Sequence, residues 1–197
     1  MRALEEFFRD LDTHWRWPGD AKIGLRLIGS AALMLQTNYE RGTKDSDVLE
    51  TASLTDEIKT RLLAIAGKDS RLFDRHRLYL EIVASGIPFL PQGPVWHPLA
   101  ALNADLQRFR IEALDVVDVV VSKFKRAHTV DMDDVAAMVD AGVVPHARLI
   151  ERFRSAVDLF SYDARASDLP KYVAALHRAE RDFLGVSETE IELPEWI

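Results

Sequence analysis

Cysteine is absent from the 197 residues, which excludes disulfides and cysteine-ligated zinc and suits a reducing compartment such as the cytoplasm. There is no run of about 18 apolar residues, so no membrane-spanning helix is expected. The N-terminal stretch MRALEEFFRDLD is acidic and amphipathic, unlike a secretory leader with its basic start and apolar centre. Positive charge is scarce: 25 Lys and Arg against 32 Asp and Glu leave a net charge of −7, which argues against broad, charge-driven binding to nucleic acid. A local basic groove is still available from Lys123, Lys125, Arg126 and His128. The phosphate- and dinucleotide-binding patterns GxxxxGKS/T and GxGxxG are both missing. The six histidines form no metal-ligand pair, and Ser30 has no histidine at a spacing that suggests nucleophilic hydrolysis. Internal repeats and low-complexity segments are also lacking.

What remains is an ordinary globular composition, 48% hydrophobic and 29% charged, in a chain long enough to bury a sizeable core. Leu4, Phe7, Phe8, Leu11 and Trp15 recur at helical spacing and predict an amphipathic first helix, ended by a turn at Trp17-Pro18-Gly19-Asp20. A helix over 55–66 is predicted by Thr55 as its cap and Gly67 as its stop. Alternation predicts strands near 23–27, 43–49, 77–83 and 107–114. The proline-rich segment 85–98 reads as an ordered loop whose Ile87, Phe89, Leu90 and Trp96 dock on the core. Asp115 is placed to cap a helix over 116–126, although the valine run at 116–121 leaves a strand open as an alternative. A short helix with Asp131 as its cap, then two amphipathic helices over 145–160 and 169–184, precede an acidic tail expected to be loosely held. The pattern is α+β: a small mixed sheet flanked by helices, divided into a core over 1–142 and a helical extension over 143–197.

The stretch Leu27 to Glu50 organises the rest. It reads as a strand end, a Gly29-Ser30 turn, a short helix over 31–38 and a second strand carrying Asp45 and Asp47. Side chains alternate along a strand, so these two carboxylates share a face and Ser46 takes the other. Two like charges held together repel unless a cation lies between them, and a hard divalent ion with oxygen ligands is the usual one. The turn opens a helix whose free N–H groups suit a phosphate. Taken alone, an Asp-x-Asp is more often a solvated strand end. Glu81 adds a third carboxylate on the strand after, although pairing with Arg75 or Arg77 would explain it equally well. Lys123 alone suits a helix C-terminus through the dipole, and the aromatics of the C-terminal half fall at core spacings.

The motifs GSAALMLQ…RGTKDSDV, then LYLEIV, DVVVSKFKR and VDMDDVAAM resemble the polymerase-β-like nucleotidyltransferase superfamily. More narrowly, they are similar to AbiEii-type toxin nucleotidyltransferases and their relatives. The likeness runs from about Ile23 to Gly142. It implies that Gly29, Ser30 and Lys44 contact the nucleotide and that Asp45 and Asp47 hold one or two Mg²⁺ (or Mn²⁺) ions. Glu81 stands in the place of the third acidic residue, Lys123 neutralises phosphate charge, and Asp134, less readily Asp131, orients that lysine or completes the polar site. Two departures are a glutamate at 81 for the usual aspartate, and one glycine in Ile28-Gly29-Ser30 where many relatives have two. The activity so implied is transfer of NMP from an NTP to an acceptor hydroxyl, with tRNA or other RNA as the acceptor and a cognate antitoxin as partner. A small-molecule or protein acceptor is an alternative, as is a non-catalytic binding module on the same fold.

Overall fold

The computed structural model describes residues 3–16 and 21–195, so the expected turn over 17–20 lies outside the described residues. The fold is mixed α/β, and its contacts group into two compact units, one of 1–87 with 96–114 and one of 88–95 with 115–197.

The first unit opens with α1 (Ala3–His14), whose Phe7, Phe8 and Leu11 are fully buried, as is the following Trp15. Each such side chain contributes roughly 1.5–3 kcal/mol by leaving water. It continues through β1 (Ile23–Leu27), α2 (Gly29–Gln36), β2 (Asp45–Leu49), α3 (Asp56–Ala66), α4 (Arg71–His76), β3 (Tyr79–Val83), β4 (Trp96–Pro98), α5 (Ala100–Asp105) and β5 (Phe109–Leu114). The strands form one mixed sheet in the order β3-β2-β1-β5-β4. Along β1 and β5, Ile23, Leu25, Leu27, Phe109, Ile111 and Ala113 are buried, while Arg26, Arg110 and Glu112 share the opposite, polar face. A buried carboxylate joins the ends of this unit: Asp12 of α1 accepts hydrogen bonds from the backbone N–H groups of Gln107, Arg108 and Phe109 at 2.7–3.1 Å.

The second unit holds α6 (Val116–Lys123), α7 (Thr129–Asp140), α8 (His146–Phe160), a 3₁₀ turn (Ala166–Asp168), α9 (Leu169–Ala179) and a π-turn (Glu180–Leu184). Asp115 caps α6 by accepting from the N–H of Val117 at 3.0 Å, and the valine run is helical because Val117, Val119, Val120 and Val121 are all fully buried. Phe89 is enclosed by Phe153, Phe160 and Tyr172, with ring centroids 5.1–5.5 Å apart.

Several expectations are corrected. The helix after the Gly-Ser turn begins at Gly29 itself and ends at Gln36. The loop over 85–98 contains strand β4, which pairs with β5, and its Ile87 is exposed rather than docked. Asp131 is not a cap: α7 starts at Thr129 behind His128. Within the described residues the tail is tied down rather than loose. The N–H and hydroxyl of Thr189 donate to the buried Glu180 carboxylate at 3.0 and 2.6 Å, and Arg154 donates to the Glu190 carbonyl at 3.0 Å.

Candidate active site

β2 and β3 run parallel in a register that pairs Asp45 with Tyr79 and Asp47 with Glu81. Paired residues on neighbouring strands share a face, so all four side chains project together. Carboxylate oxygens of Asp45, Asp47 and Glu81 lie within 4.8 Å of one another. Asp45 and Asp47 are half-buried and Glu81 is exposed, and among the described residues no ion pair with Arg75 or Arg77 engages Glu81; Arg75 pairs instead with Asp10 at 2.9 Å. Ser46, between the aspartates, points the other way and is fully buried, with its hydroxyl unpartnered among the described residues. Thr43 braces the cluster by donating to Asp45 Oδ1 at 2.5 Å.

Three carboxylates this close repel one another, and a cation between them would offset that repulsion. Oxygen-only donors converging at this distance suit a hard divalent cation. The neighbourhood of Gly29 fits the same reading. Gly29 opens α2 with φ +64, and a Cβ placed there would lie 2.7 Å from Asp47 Oδ2. The helix N-terminus and the aspartate therefore adjoin so closely that a side chain at position 29 would push the Asp47 carboxylate aside. The N–H of Ile28 donates to the Asp47 carbonyl at 2.9 Å, fixing this junction. Lys44, the other expected nucleotide contact, is exposed beside Asp45.

The register also adds residues that spacing alone missed. Burial pushes the Tyr79 phenol up, and the charges of Asp45, Glu81 and Asp47 push it further in the same direction. Its ring packs edge-on against Phe73 at 5.8 Å. Arg26, opposite Leu49 on the same face, is a cation one strand from Asp47. Its Nε donates to Glu112 at 3.3 Å and its guanidinium lies 5.0 Å from the Trp96 ring centroid. A cross-strand neighbour leaves no trace in local periodicity, so only the pairing exposes these residues.

Lys123, Asp131 and Asp134 meet one another in the second unit. Lys123 Nζ contacts Asp134 and lies 3.4 Å from Asp131 Oδ1, which Arg126 also reaches at 2.8 Å. Side-chain exposure is 5% for Lys123, 3% for Asp131 and 0% for Asp134, so the lysine charge is matched inside the protein. The local basic cluster is likewise engaged: Lys125 lies 5.5 Å from the Phe160 ring centroid, and burial pulls its ammonium pKa down.

Among the described residues no helix is long and apolar enough to cross a membrane. Nothing among curated proteins or solved structures matches the chain. Residues 4–174, however, match the family described as Nucleotidyltransferase of unknown function (DUF6036), and the chain belongs to that nucleotidyltransferase family.

Proposed function

We propose that the protein transfers a nucleoside monophosphate from an NTP to an acceptor hydroxyl, releasing pyrophosphate, with Asp45, Asp47 and Glu81 holding one or two Mg²⁺ or Mn²⁺ ions. The observation that carries this is the convergence of the three carboxylates within 4.8 Å beside the glycine that opens α2. A bound divalent cation there would screen phosphate charge and favour attack by a hydroxyl. The chain's own groups supply the rest. Backbone N–H groups at Gly29 and Ser30 point phosphate oxygens toward the helix N-terminus, and Lys44 adds a positive charge at the cluster's edge. Glu81, exposed and paired with neither Arg75 nor Arg77 among the described residues, is the carboxylate available to take the acceptor's proton. Lys123 and Asp134 enter the proposal through the family likeness; their mutual pairing suits Asp134 as the residue that orients Lys123.

The likeness to AbiEii-type toxins supports RNA, notably the tRNA 3′ end, as acceptor and an antitoxin as partner. A small-molecule or protein acceptor is the second reading, favoured by the net charge of −7 and by the engagement of the basic cluster with Asp131 and Phe160. Incubation with labelled NTPs, Mg²⁺ and either total tRNA or small hydroxyl acceptors separates the two. Label transfer that disappears in Asp45→Ala is expected; transfer undiminished in that variant, or none by the parent protein, overturns the reading.

A further inference from the structure

A cavity of about 500 Å³ lies in the first unit where the segment after α2 turns back toward β2. Leu4, Met34 and Leu78 give it an apolar lining, and Tyr39, Arg41 and Thr43 stand along its polar side. It adjoins the acidic cluster, because the Thr43 that lines it is the residue donating to Asp45 Oδ1 at 2.5 Å. The transfer chemistry proposed above makes no use of it.

Its size is within the range of pockets that enclose a small ligand. Its charge selects what enters. Glu40 lines it and Asp45 lies one hydrogen bond away, against the single guanidinium of Arg41, so a phosphate is disfavoured and a neutral group is not. Tyr39 and Arg41 both carry flat groups that stack on π faces, and Met34 adapts to a planar surface.

We infer that this cavity seats the nucleobase of the bound nucleotide, with the 39–43 segment selecting among bases. The inference rests on the nucleotidyltransferase reading: phosphates lie at Gly29, Ser30 and the carboxylates, and the base enters the neighbouring cavity.

The test is calorimetric titration of the full chain, in Mn²⁺, with each of the four NTPs and with inorganic tripolyphosphate, which has no base. The parent is expected to bind one NTP more tightly than the others and more tightly than tripolyphosphate. Tyr39→Ala is expected to weaken that NTP by about 5- to 100-fold, the range for losing one aromatic stacking partner. Met34→Trp, which fills the cavity, is expected to do the same, and both should leave tripolyphosphate affinity unchanged. Tyr39→Phe, which keeps the stacking face, should bind like the parent; if Met34→Trp does not fold, the Tyr39 pair decides. Unchanged NTP affinity in Tyr39→Ala, or four NTPs bound no better than tripolyphosphate, overturns the cavity's role and leaves the transfer reading standing. Failure of the transfer reading registers differently, as no tripolyphosphate binding by the parent and label transfer indifferent to Asp47→Ala, and it takes the cavity's role down with it.

Discussion

Gly29 has two separate reasons to be glycine: its φ of +64 and the 2.7 Å that would part a Cβ from Asp47 Oδ2. The left-handed conformation alone costs an ordinary residue about 1–2 kcal/mol. Gly29→Ala is therefore expected to lose at least that much in urea unfolding, and to lose transfer activity because the Asp47 carboxylate must move. Asp134 shows the opposite balance. Its carboxylate has 0% exposure and pairs with a lysine of 5% exposure, so Asp134→Ala takes from a buried ammonium the carboxylate it pairs with. Removing one member of such a pair costs about 3–5 kcal/mol, and a loss of that size in the unfolding free energy read from denaturant titration is the expected result. In contrast, Asp45→Ala removes one of three repelling carboxylates and should leave the melting temperature of the metal-free protein unchanged or higher. Thermal melts of the two variants side by side separate a carboxylate that the fold needs from one that it does not.

At the scale of elements, Asp12 shows how a single side chain sets where a strand begins. It accepts from three consecutive N–H groups at the start of β5, and hydrogen bonds to a charged group are worth about 1.5–3 kcal/mol. Asp12→Ala should destabilise the protein by at least this amount and speed amide hydrogen exchange at Gln107, Arg108 and Phe109. Long or strongly periodic elements were readable from the sequence: α1, α8 and the four main strands appear within two residues of their expected positions, because burial imposes the periods of 3.6 and 2 on apolar residues. Helices α4 and α5 were not, since six residues make fewer than two turns and carry no period. Strand β4 was hidden among prolines; its three residues are defined by their pairing with β5. The site divides in the same way. Asp45 and Asp47 share a face by spacing along one strand, whereas Tyr79, Arg26 and the cavity beside Thr43 depend on register and tertiary packing that no local pattern encodes.

At the scale of the whole molecule, the family match ends at residue 174, yet ordered and buried structure continues beyond it. Glu180 is fully buried, and burial pushes its carboxyl up. The hydroxyl and N–H of Thr189 and the imidazole of His146 more than offset that, so its pKa is lowered. A carboxyl lowered on folding contributes stability that is present above the ordinary glutamate range and is lost as pH falls through its folded value. Thermal melts on acidification through and below that range should therefore show a steeper loss for the parent than for Glu180→Gln, which has no carboxylate to protonate. A flat difference between the two proteins over that interval would remove Glu180 as a clasp for the tail.

One consequence of the strand order concerns time rather than space. β3 is an edge strand, held by β2 alone within the sheet, and edge strands detach more readily than central ones. It carries both Glu81 and Tyr79, so each detachment would disassemble the acidic cluster in one event while β1, β2 and β5 stay paired. The fraction of molecules competent at any instant is then bounded by the opening equilibrium of a five-residue strand, which can fall well short of global stability. Amide exchange at Tyr79, Glu81 and Val83, whose N–H groups face β2 in this register, measures that equilibrium, and mutations along the outer edge of β3 become a means of tuning turnover without touching a catalytic group.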